Sequence, residues 1–386
     1  MTARSSRPDQ PTPRPLSNWT IAAGALVVLA VAAVVSFLLL RRYGGQGAQI
    51  QLDAIRTAGT LIVGTGGAVA LLLTARRQRY TELTLVHTTS DATERRITEL
   101  YTKAADQLGS DKAPVRLAGL HALERLAQNT PEQRQTIVDV ICAYLRMPYI
   151  PADEQPPVED APAEAHTRYE NRRQEQQVRL AAQHILSRNL RVIDQRHRRW
   201  WQRTQPPAAP AWSGIRLDLT GALLLEFTMS ESQLGSVNFS RAQFTGEANF
   251  RDAEFTGDAD FSRGRFTGEV NFWGTRFTGA HFLRSEFAGG ANFAEAKFTG
   301  IAHFGGVQFA GPTYFAEAQF AAGWAYFGGA HFTGGANFEG VQVDSDAEQN
   351  SVWPSGWTTR SAQPHDGEDP AFRYLTKMEH SNPPET

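Results

Sequence analysis

The chain has 386 residues, with 38 Lys and Arg against 40 Asp and Glu and a net charge of −2. That length calls for more than one domain, and the near-neutral balance supplies no global basic field for nucleic acid. Cys142 is the only cysteine, which excludes an internal disulfide and any CxxC metal or redox site.

Residues 1–18 are rich in Pro, Arg and Ser and are expected to be disordered. Thr20 to Leu40 then runs without a charge, long enough to span a bilayer. It ends in Arg41-Arg42, not in the small-residue cleavage site of a signal peptide. Thr57 to Ala75 is a second uncharged run, diluted by Gly59, Gly64, Gly66 and Gly67. Its alternative is a buried or re-entrant helix. Together they predict a transmembrane helical hairpin over 19–76, with the lipid bilayer as partner of 20–40 and 57–75. Arg4, Arg7 and Arg14 precede it and Arg76, Arg77 and Arg79 follow, whereas the loop holds only Arg41, Arg42 and Arg56. That asymmetry puts both termini, and the bulk of the chain, on the cytoplasmic side of a bacterial cell membrane.

Residues 77–147 are expected to be an α-helical domain. The chain continues as helix to about Thr93, and three amphipathic helices follow over 93–147. The first has Ile97, Leu100, Tyr101, Ala104 and Leu108 as its stripe. Gly109 ends it, and Ser110 or Asp111 caps the next. Thr130-Pro131 opens the third, which buries Ile137, Val138, Ile141 and Leu145. The phrase from Val115 to Leu126 is similar to one HEAT-type helical repeat. Five prolines among acidic residues make 148–163 a linker. Residues 164–213 read as a basic helix and connector. Within them Arg196-His197-Arg198-Arg199-Trp200-Trp201 has two readings: contact with anionic headgroups or nucleic acid, or the solvated end of a helix whose tryptophans cap the next domain.

From Asn238 to Phe338 one phrase recurs: Ala-Asn-Phe, three residues, Phe-Thr-Gly. Phenylalanines fall alternately five and six residues apart, a period of neither helix nor flat strand. Upstream, Leu219, Leu224, Met229 and Leu234 keep strict fives. A fixed period means one unit stacked many times. A small residue stands two before most Phe, and Thr-Gly follows every other one, where a positive-φ corner is expected.

These residues resemble the pentapeptide-repeat family, with its A-(D/N)-(L/F)-x-x consensus. The resemblance implies a right-handed quadrilateral β-helix over 214–343, four units to a coil. Two elevens make a 22-residue coil. One side then carries Asn249, Asn271, Asn292, Tyr314 and Asn337, and the opposite side Asn238, Asp260, His281, His303 and Tyr326. Stacked Asn amides are expected to bond up the column. The run from Gln107 to Leu126 also resembles the segment between membrane hairpin and repeats in actinobacterial membrane proteins of this family. Residues 344–386 are expected to be a tail, with Trp353 and Trp357 over the open last coil and 360–386 disordered.

No catalytic, cofactor or metal signature occurs. Gly64-Thr65-Gly66-Gly67 lacks the Lys-Ser/Thr of a P-loop. His281 and His303 fall on adjacent coils, but His there reads as a substitute for Asn. The expectation is a non-enzymatic, membrane-anchored scaffold that binds a protein partner whose identity the sequence does not name. Its candidate surface is Asn249, Asn271, Asn292, Asn337, Asp260, His281 and His303, with Arg196, Arg198, Arg199, Trp200 and Trp201. The alternative is a DNA-mimic modulator of an enzyme such as gyrase, as known for some members of the family. Mimicry needs a strongly acidic rod, and 214–343 holds 13 acidic against 8 basic residues, a net of −5. Nucleic acid itself is not an expected partner. Oligomerisation through a solenoid end or the hairpin glycines is left open.

Overall fold

The computed structural model describes residues 26–27, 30–31, 33–38, 41–42, 48–153, 155–192, 212, 214–321, 323–348, 351–363, 369 and 371–378. Two compact units divide at Arg96, 1–96 and 97–386.

In the first unit the second expected span lies inside one helix, α1 (Ala48–Leu108). Among the described residues no helix is long and apolar enough to cross a membrane. Four glycines and several threonines dilute 57–75; Thr57, Thr60 and Thr74 turn their hydroxyls back onto carbonyls one turn earlier. Much of the first expected span, 20–40, lies outside the described residues.

The second unit opens with helices around an aliphatic core. After the last turns of α1 come α2 (Ala113–Asn129), a 3-10 turn at Pro131–Gln133, α3 (Arg134–Arg146) and α4 (Ala163–Leu190). Leu120, Leu123, Ile137, Ile141, Leu145, Val178, Ile185 and Leu186 are buried together. The cap of α2 is Lys112, one residue beyond the expected Asp111; Ser110 Oγ accepts the Lys112 N–H instead. Between α3 and α4, residues 147–162 contain no helix or strand among those described.

From 217 to 343 the chain forms a right-handed-type β-solenoid of about six turns. Parallel pairing aligns Asp218, Asn238, Asp260, His281, His303 and Tyr326 on one side. It aligns Asn249, Asn271, Asn292, Tyr314 and Asn337 on another. Between them run Gln243, Arg265, Glu286, Gln308, His331 and, across the coil, Glu254, Arg276, Lys297, Gln319. The first two columns are those read from the sequence. Their steps are one coil of 20 residues at the start, then 21 to 23.

Phe rings fill the coil. Within a column they stack, as Phe266 on Phe287 at 4.6 Å and 2°. Between columns they meet edge to face, as Phe282 and Phe293 at 5.5 Å and 88°. Each such pair adds about 0.5–1.5 kcal/mol beyond its burial.

Two expectations about the corners are corrected. Of the Thr-Gly glycines expected at positive φ, only Gly246 has it (+78°). The others are small for a different reason: a Cβ on Gly268 would sit 2.3 Å from the Gly246 carbonyl oxygen, so glycine lets successive coils close up. The threonine hydroxyls reach up the stack, Thr267 to the Phe244 carbonyl and Thr299 to that of Phe277. At Glu254–Asp260 and Arg276–His281 the strand runs straight through such a corner, joining two sides of the coil.

Both ends of the stack are closed. At the start the helical domain offers side chains in place of a preceding strand. The Gln183 carboxamide donates to the Leu225 carbonyl and accepts the Leu225 N–H. Gln135 does the same with Arg216. At the far end, Phe372–Lys377 pairs antiparallel with Gln342–Asp344 and with Trp357–Ser361. Within the segment 360–386 expected to be disordered, the strands ending at Ser361 and over Phe372–Lys377 correct that expectation: the last coil leaves a strand edge unpaired, and Tyr374 and Leu375 are buried in covering it. Trp353 and Trp357 take the expected place, 5.4 Å from Phe320 and 5.0 Å from Phe338.

Candidate interaction surface

On two sides of the coil, an outward Asn, Asp or His before an inward Phe caps its own corner. The Oδ1 of Asn249, Asn271, Asn292 and Asn337 accepts the N–H two residues on, at 2.8 to 3.0 Å. The expected hydrogen bonding of amides up the column is therefore not what the oxygens do. A corner N–H is nearer than the next coil's amide, and the Asx turn satisfies it. Among the described residues none of these four Nδ2 groups has a protein partner, so Asn249, Asn271 and Asn292 present three amide donors on successive coils about 4.8 Å apart, with Tyr314 between them and Asn337.

The opposite side uses the same device with mixed chemistry. Asn238 and Asp260 accept from Ser240 and Ser262. His303 accepts the Gly305 N–H at Nδ1, 3.2 Å away, which assigns the ring proton to Nε2. Burial, and then His281 on the next coil, push the His303 pKa down. His thus stands in for Asn, and Tyr326 and Trp324 lie 5.1 and 5.5 Å from its ring. Among the described residues no group of His, Cys, Asp or Glu could hold a metal ion. Arg196, Arg198, Arg199, Trp200 and Trp201 lie outside the described residues.

Where the helical domain meets the first coils there is a cleft of about 520 Å³, lined by Asp139, Arg146, Arg216, Asp218, Asp258 and Asp260 among others. Its charges are largely spoken for. Arg146 pairs with Asp218, and Gln135 donates to Asp139. Burial would raise the Asp218 carboxyl, but hydrogen bonds from Thr220 and the Arg146 charge hold it below its ordinary value. Cys142, in the wall, is pushed up to about 12, chiefly by burial.

The sequence reading missed the corner residue two after Phe. It adopts a left-handed backbone at Arg241, Arg263 and Arg284 on one corner, and at Glu231, Asp252, Glu295 and Glu317 on the opposite one. The signal was present: these charges repeat with the coil.

Residues 250–297 and 293–342 match the family described as Pentapeptide repeats (9 copies). The match covers most of the solenoid and supports a pentapeptide-repeat protein. No curated protein and no solved structure matches the chain.

Proposed function

We propose that this is a non-enzymatic interaction protein whose solenoid is the recognition surface for another protein. The observation that supports this reading is the Asn side. Its oxygens are consumed by corner turns, and its Nδ2 donors stand in register, free to meet a row of acceptors. Carboxylates, carboxamides and backbone carbonyls of a partner protein can accept such bonds. The test is crosslinked capture by the full chain, set beside an Asn271→Asp, Asn292→Asp variant. Asp keeps the corner acceptor and removes the donor. A partner lost only by the variant supports the reading; equal capture, or none by either, overturns it.

The DNA-mimic reading draws on the fold and a net charge of −5, but arginines interrupt the sides and, on three coils, one corner. It predicts altered gyrase supercoiling by micromolar protein.

Attachment to the cytoplasmic face of a bacterial cell membrane rests on sequence: the uncharged runs 20–40 and 57–75 and the Arg asymmetry around them. Retention in the membrane fraction after alkaline carbonate washing is expected, and release into the supernatant refutes it.

A further inference from the structure

Among the described residues, all eight non-glycine residues with positive φ are charged. That is an expensive choice. A left-handed backbone strains an L-residue, whose Cβ crowds the following carbonyl, and glycine is free of that strain. Glycine is admissible here, since Gly221, Gly306 and Gly329 occupy the arginine corner on other coils, and Gly274 and Gly340 the acidic one. The charges are also sorted by sign. Arg241, Arg263 and Arg284 sit on three successive coils; Arg241 N–H donates to Ser262 and Arg263 N–H to Leu283, each just before the next arginine's corner position. On the diagonally opposite corner, Glu295 and Glu317 sit on successive coils, and on the next coil Glu339 immediately precedes the corner glycine Gly340; the coils are linked by Glu295 N–H to the Ala316 carbonyl and Glu317 N–H to that of Glu339. All six are exposed. Among the described residues none of the six has an ion-pair partner, whereas Arg251 and Asp252, or Arg265 and Glu286, pair within the solenoid.

Each column stacks like charges about 4.8 Å apart, an arrangement that repels itself until it meets its complement. We propose that the complement is a second copy of this chain, docked side by side so that the arginine edge of one solenoid meets the acidic edge of the next. The match is in sign and pitch: three corner cations on successive coils against two corner anions and Glu339 beside the third corner, all spaced by the same coil rise. Because the two edges are opposite, the contact is heterologous and leaves a free edge at each end of the pair, so association continues beyond a dimer. Exposed pairs are individually weak and screened by salt, so the contact is weak and salt-labile. It uses two corners and not the Asn side, so it can fail while the recognition reading stands.

The test is sedimentation velocity of the full-length protein, in detergent, over a concentration series at 20 and 500 mM NaCl. The weight-average mass is expected to pass that of a dimer at low salt and return to one copy at high salt. Replacing Arg241, Arg263 and Arg284 with Gly preserves the corner backbone and should raise the half-association concentration at least tenfold. Reversing the arginines to Glu, or the three glutamates to Arg, should do the same, and both reversals in one chain should restore association. A single-copy mass at every salt, or association indifferent to the glycine variant, overturns the proposal. In the first case, binding of the wild type but not the glycine variant to heparin would assign the arginine edge to a polyanion. In the second, association that survives salt belongs to another surface, such as the 57–75 glycines.

Discussion

The Gln183 side chain pairs with Leu225 as a neighbouring strand would: its carboxamide donates to the Leu225 carbonyl at 2.9 Å and accepts the Leu225 N–H at 3.1 Å. An open solenoid end has no preceding coil to satisfy its backbone, and a helical domain has no free backbone to lend. A primary amide carries the donor and acceptor of a peptide group, which is why glutamine can stand in for one.

Gln183→Leu should therefore cost more than one ordinary hydrogen bond. It leaves a buried N–H and C=O both unpaired, worth about 2–4 kcal/mol together. Gln135→Leu, whose site water can reach, should cost under about 1 kcal/mol. Urea unfolding of the two variants measures the difference; equal losses would mean that the carboxamide pairing does not seal the end.

Glu124 is buried between α2 and α4, where it accepts from Arg188 Nη2 and Asn189 Nδ2, with His121 Nδ1 at 3.3 Å. Burial pushes its pKa up, but these hydrogen bonds and the Arg188 charge outweigh it and hold the carboxyl below its ordinary value. A carboxylate depressed on folding stabilises the fold above its unfolded pKa, and that stability drains as pH falls through the folded value. Stability should thus fall below about pH 4.5, and Glu124→Gln should flatten the fall while costing about 2 kcal/mol at pH 7. An unchanged acid limb in the variant would assign the loss to other carboxylates.

Much of the solenoid was legible because a buried ring every five or six residues leaves few ways to coil. Asn249, Asn271 and Asn292 fell into register from counting alone. The corners were not legible. Whether Gly268 is small for its φ or for the carbonyl of Gly246 depends on the distance between coils. Charged residues at left-handed positions run against propensity, so Arg263 read as an ordinary surface residue. The end closures were hidden for another reason: Gln135 and Gln183 look like any polar helix residue until the strand they replace is in place. Phe372–Lys377 is polar enough to resemble a tail, and it becomes a strand because Gln342–Asp344 offers it an edge.

His303 gives a second pH dependence, of opposite chemistry. Its Nδ1 must stay unprotonated to accept the Gly305 N–H, and burial and His281 depress its pKa. The groups packed around it are His281, Trp324, Tyr326 and the chain at Gly305. A histidine with a lowered folded pKa favours the fold when neutral. Stability is therefore lost as pH falls from the unfolded value, about 6.5, toward the folded one, and is level below it. His303→Asn keeps the corner acceptor and should remove that step between pH 7 and 5 in thermal melts. A step of the same size in the variant would place it elsewhere.

Cys142 offers a probe of the helical domain. Its thiol is buried and pushed up to about 12, so at pH 8 the native protein holds almost no thiolate. Reaction with a disulfide reagent should be slow in buffer and complete in urea, with the labelling midpoint tracking the loss of helix. Fast labelling of the native chain would show that α3 opens without global unfolding.

Trp353 and Trp357 close the far end by covering Phe320, Phe327 and Phe338, the last rings of the stack. Rings within a coil support one another, but the final coil has nothing beyond it, so its exposed faces depend on these two side chains. Trp353 is half-buried, so Trp353→Ala should cost about 2–3 kcal/mol, below the range for a fully buried aromatic. The loss should be local before it is global: amide exchange should quicken first at 319–343 and 357–377 and last near Phe261 and Phe282. Stacked repeats lose stability from an uncapped end inward, because each coil touches only its neighbours. Uniform acceleration along the solenoid would show instead that the coils unfold as one unit, and that the cap stabilises all of them equally.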